Sequence, residues 1–279
     1  MAHRSSRRQF LQLAGVGAVA CAAGADRAAS AAPASKVPYQ LGMASYTFRE
    51  FPLDQTLEMT KRLGLKRITF KDFHLKLDAT PEVIAETLSK VKAAGLELYA
   101  GGVIYMKSEA EVDRAFAYAK AAGMPMIIGV PNYELLDYTN RKIQEYDIRV
   151  AIHNHGPDNP LYPTPESAYE RIVKLDRRIG LCIDVGHTQR SGIDPSDSAL
   201  KYADRLYDVH IKDVSAATSA GRTVEIGRGV IDIPKFLRTV RKINYTGTLA
   251  LEYEKDGKDP LPGSAESIGY LRGVLATMA

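Results

Sequence analysis

Histidine is scarce and unevenly placed in this 279-residue chain: of six, all but His3 fall in short polar clusters, FKDFH (His74), IHNH (His153 and His155), DVGH (His187) and DVHIKD (His210). A further cluster, LEYE, adds Glu252 and Glu254. His153, Asp184, His210 and Glu252 make a donor set suited to one divalent ion, Mn, Co, Zn or Fe, whose charge the two carboxylates balance. Any one of them alone reads more simply as a buried, hydrogen-bonded polar group. Four arriving from consecutive strands point to a site. Around that set lie groups able to move protons. His155 follows His153 by two, so on a strand it faces the same side and serves as a base, as a hydrogen-bond partner of a ligand or as a substrate contact. His187, three after Asp184, is placed to handle a substrate hydroxyl, and Lys71 to polarise an enolate oxygen; a loop histidine and a salt-bridged lysine are the plainer readings. Glu252 is assigned to proton transfer as well as to the metal, and Glu254 to supporting it. His74 is expected in the loop after a strand, against substrate. In EIGRGVIDIP (225–234), Gly227 and Gly229 would let backbone amides approach an anion while Arg228 pairs with it. A tight turn before a helix near Pro234 is the alternative there.

These residues must be carried by something regular. From residue 40 onward, short β-rich runs at 41–48, 66–72, 96–103, 124–130, 148–155, 179–187, 206–213 and 247–254 alternate with helical patterns. PLDQTLEMTKRLG, TPEVIAETLSKVKAAG, SEAEVDRAFAYAKAAG and TPESAYERIVKLD open on Thr, Ser or Pro, and several close on Gly, as helices do. Eight such alternations predict an α/β fold, a single (β/α)8 TIM barrel over residues 36–279, with the polar clusters at the C-terminal ends of its strands, where active sites of this architecture lie. A doubly wound open sheet would show a Gly-rich turn after its first strand, and SYTFREF is not one.

Residues 1–35 read as an export signal and disordered lead. Ser6, Arg7, Arg8, Gln9, Phe10 and Leu11 form a twin-arginine pattern, an apolar run follows at 11–23, and ASA at 29–31 offers a cleavage site. That run is short for a membrane span, so the expectation is removal and a periplasmic location, with no membrane attachment afterwards. Cys21 in AVAC departs from a lipidation site because Ala18 stands where a leucine-like residue is usual. Cleavage would remove four cations and one acid from the chain's 37 and 33, leaving a near-neutral protein and no footprint for nucleic acid. Cys182 would then be alone, so stability must come from a core rather than from a disulfide.

VAIHNHG, CIDVGH, DVHIKD, EIGRGVIDIP and GTLALEYE, with FKDFHLKLD earlier, resemble the xylose isomerase-like superfamily of sugar phosphate isomerases and epimerases across residues 40–279. The resemblance implies one divalent metal held by Glu, Asp, His and Glu at the ends of the last four strands. By motif the last three fall on Asp184, His210 and Glu252, while His153 stands where the fifth-strand glutamate belongs. Replacing that carboxylate by imidazole leaves the ion less neutralised and a stronger Lewis acid. It also removes a carboxylate that several epimerases use as a base, and sets the chain beside relatives acting on 3-keto-sugars. The function so implied is isomerase, epimerase, or lyase or hydratase on a keto-sugar or related carbohydrate through an enediolate. A noncatalytic periplasmic sugar-binding barrel and an apurinic-site-type endonuclease are the alternatives; the near-neutral charge and single cluster speak against the second. Oligomeric state stays open, a homo-oligomer included.

Overall fold

The computed structural model describes residues 37–278; the predicted export signal lies outside the described residues. Seven strands, β1 (Gln40–Ala44), β2 (Arg67–Phe70), β3 (Glu97–Met106), β4 (Met126–Pro131), β5 (Arg149–His153), β6 (Ile179–Asp184) and β7 (Leu206–Ile211), are followed by a short antiparallel ribbon, β8 (Asp213–Val214) with β9 (Thr223–Val224), and then by β10 (Thr248–Leu251). All but the ribbon pair in parallel and close into an eight-stranded barrel, β1-β10-β7-β6-β5-β4-β3-β2. This is the (β/α)8 barrel expected. Sheets of this kind are covered on both faces, and MIIGVP and IGLCID accordingly run buried from end to end.

Helices begin where the sequence supplies a cap. Thr80 and Ser108 accept from the backbone of Val83 and Glu111, and Thr164 forms a reciprocal box with Ser167, each ahead of a helix. The helix Ile233–Lys242 starts on Asp232, which accepts from Lys235 N at 2.8 Å, and buries Ile233, Phe236, Leu237 and Val240. Their i, i+3, i+4, i+7 spacing lays one apolar stripe against the barrel, with each such side chain contributing about 1.5–3 kcal/mol.

Six of the eight predicted strands end early, and two of these differences shape the site. The window 41–48 gives a strand only to Ala44, after which Ser45–Phe48 tightens into a 3-10 turn. The window 179–187 stops at Asp184, because the Asp184 carboxylate accepts from His187 N at 2.7 Å and so caps the helix Val185–Arg190. Asp213, at the head of the ribbon, accepts from Gly227 N at 3.0 Å, Gly229 N at 2.9 Å, Ile231 N at 3.2 Å and Val214 N at 2.9 Å. That single buried carboxylate folds the whole loop after the ribbon. A Cβ at Gly229 would lie 2.1 Å from Asp213 Oδ1, so only glycine fits.

Candidate metal centre

Register assembles the donor set. Asp184 and His210 are Cα partners across β6 and β7, and Glu252 N extends the next ladder by donating to Ile211 O at 3.1 Å. His153 pairs with Cys182, two residues before Asp184, so the period of two puts both side chains on one face. The result is compact: one ligand atom from each of His153, Asp184, His210 and Glu252 lies within 4.8 Å of the others, and all four residues are buried. His153 Nε2 is 3.1 Å from His210 Nδ1 and 3.4 Å from Asp184 Oδ2, while His210 Nδ1 is 3.1 Å from Glu252 Oε2.

The fit to a divalent ion rests on those atoms. Two imidazole nitrogens face each other, so at most one can carry a proton, and Asp184 Oδ2 is buried with no hydrogen bond, its charge met only by the Lys212 ammonium 2.9 Å away. A cation shared among them satisfies both. Burial drives the His153 imidazole down to about 4, which leaves it neutral and ready to coordinate near pH 7. His210 is pushed the other way: burial opposes its charge, but Glu252 beside it, with Asp208 and Asp184, outweighs burial and raises it. Its far nitrogen, Nε2, lies 3.8 Å from Asp208 Oδ2, a carboxylate that burial lifts to about 6. At that distance there is no hydrogen bond, and His210 Nε2 is buried without a partner. Cys182 also approaches the centre with His153 and His210, but its Sγ turns to Asp208 Oδ2 at 3.5 Å. Burial pushes that thiol up, so it stays protonated and is the poorer donor.

Sequence reasoning missed Lys212. Its side chain is 2% exposed, with Nζ 2.7 Å from Glu252 Oε2 and 2.9 Å from Asp184 Oδ2, and it also bonds Glu254. Burial would strip its proton, yet the three carboxylates outweigh burial and hold it well above the usual lysine range. Conversely, burial would raise the carboxyls of Asp184 and Glu252, but the Lys212 ammonium, helped by the neighbouring histidines, holds both well below the usual carboxylate range. The signal was present: Asp208, His210 and Lys212 alternate along β7 and its end, hence share a face. Asn154, between the two histidines of IHNH, was also passed over. It accepts from Asp184 N at 3.0 Å and donates to Thr188 Oγ1 at 3.2 Å, tying the end of β5 to the end of β6.

Above the donor set opens a cavity of about 320 Å³ whose walls include Tyr46, Lys71, Tyr105, His155, His187 and Glu254. His155 follows the end of β5, and its Nδ1 lies 3.4 Å from His153 Nδ1; burial lowers it to about 3. Gly156 behind it has φ +80° and passes the chain against His187, where a Cβ would come within 3.3 Å of the ring. Burial also lowers His187, whose Nδ1 accepts from Arg190 Nη1 at 3.3 Å. In the neutral ring Nε2 therefore keeps the proton. Lys71 reaches the cavity wall while paired with Asp72 at 2.8 Å.

The two residues expected to touch substrate are not brought here. His74 is 6% exposed, its Nε2 held 2.9 Å from Thr56 Oγ1 and 3.0 Å from Phe51 O, and it packs on Phe70 and Phe73. Buried hydrogen-bond partners claim the ring that the sequence placed in an open loop. Arg228 is exposed and paired with Glu266 at 2.7 Å, and the Gly227 and Gly229 amides expected to cradle a substrate anion are occupied by Asp213. The turn reading of EIGRGVIDIP fits this geometry and the clamp does not.

Known proteins share this plan. The sequence profile of the xylose isomerase-like TIM barrel family matches residues 53–274. The rhizopine catabolism protein MocC of Rhizobium meliloti is 28% identical over 152 residues, covering 49% of this chain and 46% of its own length. The inosose dehydratase of Clostridium botulinum strain Eklund 17B is 27% identical over 148 residues, covering 45% of this chain and 48% of its own. In both, the match spans under half of the relative's length. A solved structure of an uncharacterized protein from Parabacteroides distasonis superposes with a TM-score of 0.67 at 25% identity, covering 85% of this chain and 99% of that one.

Proposed function

Because this chain belongs to the xylose isomerase-like TIM barrel family, we propose that it is a divalent-metal-dependent enzyme that enolises a keto-sugar or related polyol derivative, and that the reaction is elimination of a β oxygen. The observation carrying this reading is the buried His153, Asp184, His210 and Glu252 set lying under a cavity walled by two neutral imidazoles. A cavity of about 320 Å³ is at the small end of ligand sites and suits one sugar ring.

Bound by those four residues, a divalent ion supplies Lewis acidity that favours negative charge on a neighbouring carbonyl oxygen. The chain's own groups do the rest. His155, neutral at physiological pH, accepts the proton from the carbon beside the ketone. His187, with its proton fixed on Nε2 by Arg190, gives that proton to the departing oxygen. The C–O bond breaks as the C=C bond forms, and water leaves carrying the proton from His187. Lys71 on the cavity wall adds positive charge near the developing enolate. An acceptor and a donor of different tautomeric duty suit elimination better than the matched carboxylate pair of an epimerase. The inosose dehydratase relative supports the same choice. A noncatalytic sugar-binding barrel would have no need of four converging donors.

The test is solvent deuterium exchange on a 3-keto-glucoside with Mn-loaded protein. Deuterium should enter beside the ketone and an enone should accumulate. His155→Ala should abolish exchange, whereas His187→Ala should retain exchange and lose elimination. Absence of exchange in metal-loaded wild type would refute the proposal. The twin-arginine pattern supports work in the periplasm, which a fusion of residues 1–35 to a reporter enzyme would test.

A further inference from the structure

A second cavity, of about 660 Å³, adjoins the first, and His187 and Glu254 line both. Its other walls include Arg190, Lys212, Arg222 and Lys255, so four cationic side chains face it against the single carboxylate of Glu254. Three of those cations are already neutralised. Arg190 is bonded to Asp158, Lys212 to the carboxylates of the centre, and Lys255 to Glu225 at 2.8 Å. Arg222 makes no ion pair among the described residues. Its backbone is nevertheless fixed: Arg222 O accepts from Ser215 N at 2.9 Å and Arg222 N donates to Ser215 Oγ at 3.1 Å, closing the loop between β8 and β9.

We propose that this annex is a second binding compartment, and that the substrate is a two-part molecule: a sugar ring over the metal centre and an appended group bearing a carboxylate or phosphate that lies in the annex against Arg222. The inference rests on the reading of the first cavity as the sugar site. One cavity is ring-sized and dead-ends on buried donors, while the other is roomier and carries an uncompensated cation. Only a ligand passing beside His187 and Glu254 occupies both. The appended group then sits next to the imidazole that protonates the leaving oxygen, on the side of the ring away from the metal ligands. A neutral ring alone leaves the annex to water, and Arg222, without an ion pair among the described residues, favours an anion there.

The test compares, by calorimetric titration of the Mn-loaded full chain at low salt, 4-carboxyphenyl β-glucoside, its neutral methyl ester and the corresponding aryl phosphate. The anionic probes should bind about two- to fivefold tighter than the ester, as one exposed ion pair allows, and that ratio should shrink in high salt. Arg222→Ala should bring the ratio to about one, and Arg222→Glu should invert it. The phosphate arm separates the two anions: a preference over carboxylate assigns the annex to a phosphate monoester, the reverse to a carboxylate. Equal affinities in wild type, a ratio unaffected by either variant, or binding of no probe would each overturn the proposal. Charge preference without deuterium exchange on any keto-sugar would sink the enolisation reading alone. Exchange without charge preference would sink the annex alone.

Discussion

Removing the Lys212 ammonium without its stem is the most informative single change. Lys212→Met retains the methylenes that pack on Gly186, where a Cβ would lie 2.5 Å from Lys212 Cγ, and deletes the charge that three carboxylates share. In metal-free protein the loss leaves Asp184 and Glu252 buried with no strong cation, and breaking a buried ion pair from one side costs about 3–5 kcal/mol. For a domain of this size, about 2–4 °C of Tm per kcal/mol translates that into a fall of roughly 6–20 °C. A divalent ion delivers positive charge to the same carboxylates, so Mn should raise the Tm of the variant by more than it raises that of wild type. The assay is differential scanning calorimetry with and without Mn, with Lys201→Met as control. Lys201 pairs with Glu166 on the surface, both side chains more than half exposed, and its loss should leave Tm unchanged. A metal-free variant melting with wild type, or equal metal-induced shifts in the two proteins, would refute the view that Lys212 holds the centre together before the ion arrives.

Other outcomes follow from the same contacts. Elemental analysis should find about one equivalent of metal in wild type and none in His153→Ala or Asp184→Ala; retention in His153→Ala would demote that imidazole to a neighbour of the ion. Asn154→Ala should weaken metal binding about 10–100-fold with every ligand intact, because the Asp184 backbone loses its tether. Arg205→Ala should destabilise the barrel by about 3 kcal/mol or more in urea melts, since a guanidinium 2% exposed donates to the carbonyls of Val173, Leu175, Asp176 and Ile179. Hydrogen bonding from Lys255 and then from Tyr253, working against burial, holds the Glu225 carboxyl at about 2, below its ordinary 4.5. Its contribution is therefore complete above pH 4.5 and lost as pH falls toward 2. Glu225→Gln should flatten that part of a stability-versus-pH curve by about 1–2 kcal/mol after solvent screening.

The barrel was legible because alternation of apolar runs and capped helical patterns survives in the sequence whatever the side chains later touch. The donor set was legible for a related reason: strand ends are marked by the change from apolar to polar residues, and ligands sit on that boundary. Direction was not legible. His74 and His155 look alike as histidines after strands, yet one ring is held by Thr56 and Phe51 and the other faces the cavity. Arg228 and Arg222 both follow the seventh strand, and only the folding of the loop about Asp213 decides which of them is spent on Glu266. Lys212 was hidden by expectation, since lysines are seldom buried and only the three carboxylates, distant in sequence, make burial tolerable here.

Asp184 divides its labour between its two oxygens: one starts the helix that follows and the other is offered to the ion. The strand end, that helix and the donor are thus a single mechanical part. Grafting a foreign segment onto β6 in search of a new specificity would detune the ion as well as reshape the wall, whereas the loop between β8 and β9 carries no metal donor and is held through its own backbone, at Ser215 and Arg222 and by Arg190 on Ser219 O. Diversification, natural or engineered, has a safe place to begin, and it is the loop that joins the ribbon's two strands rather than the strand β6.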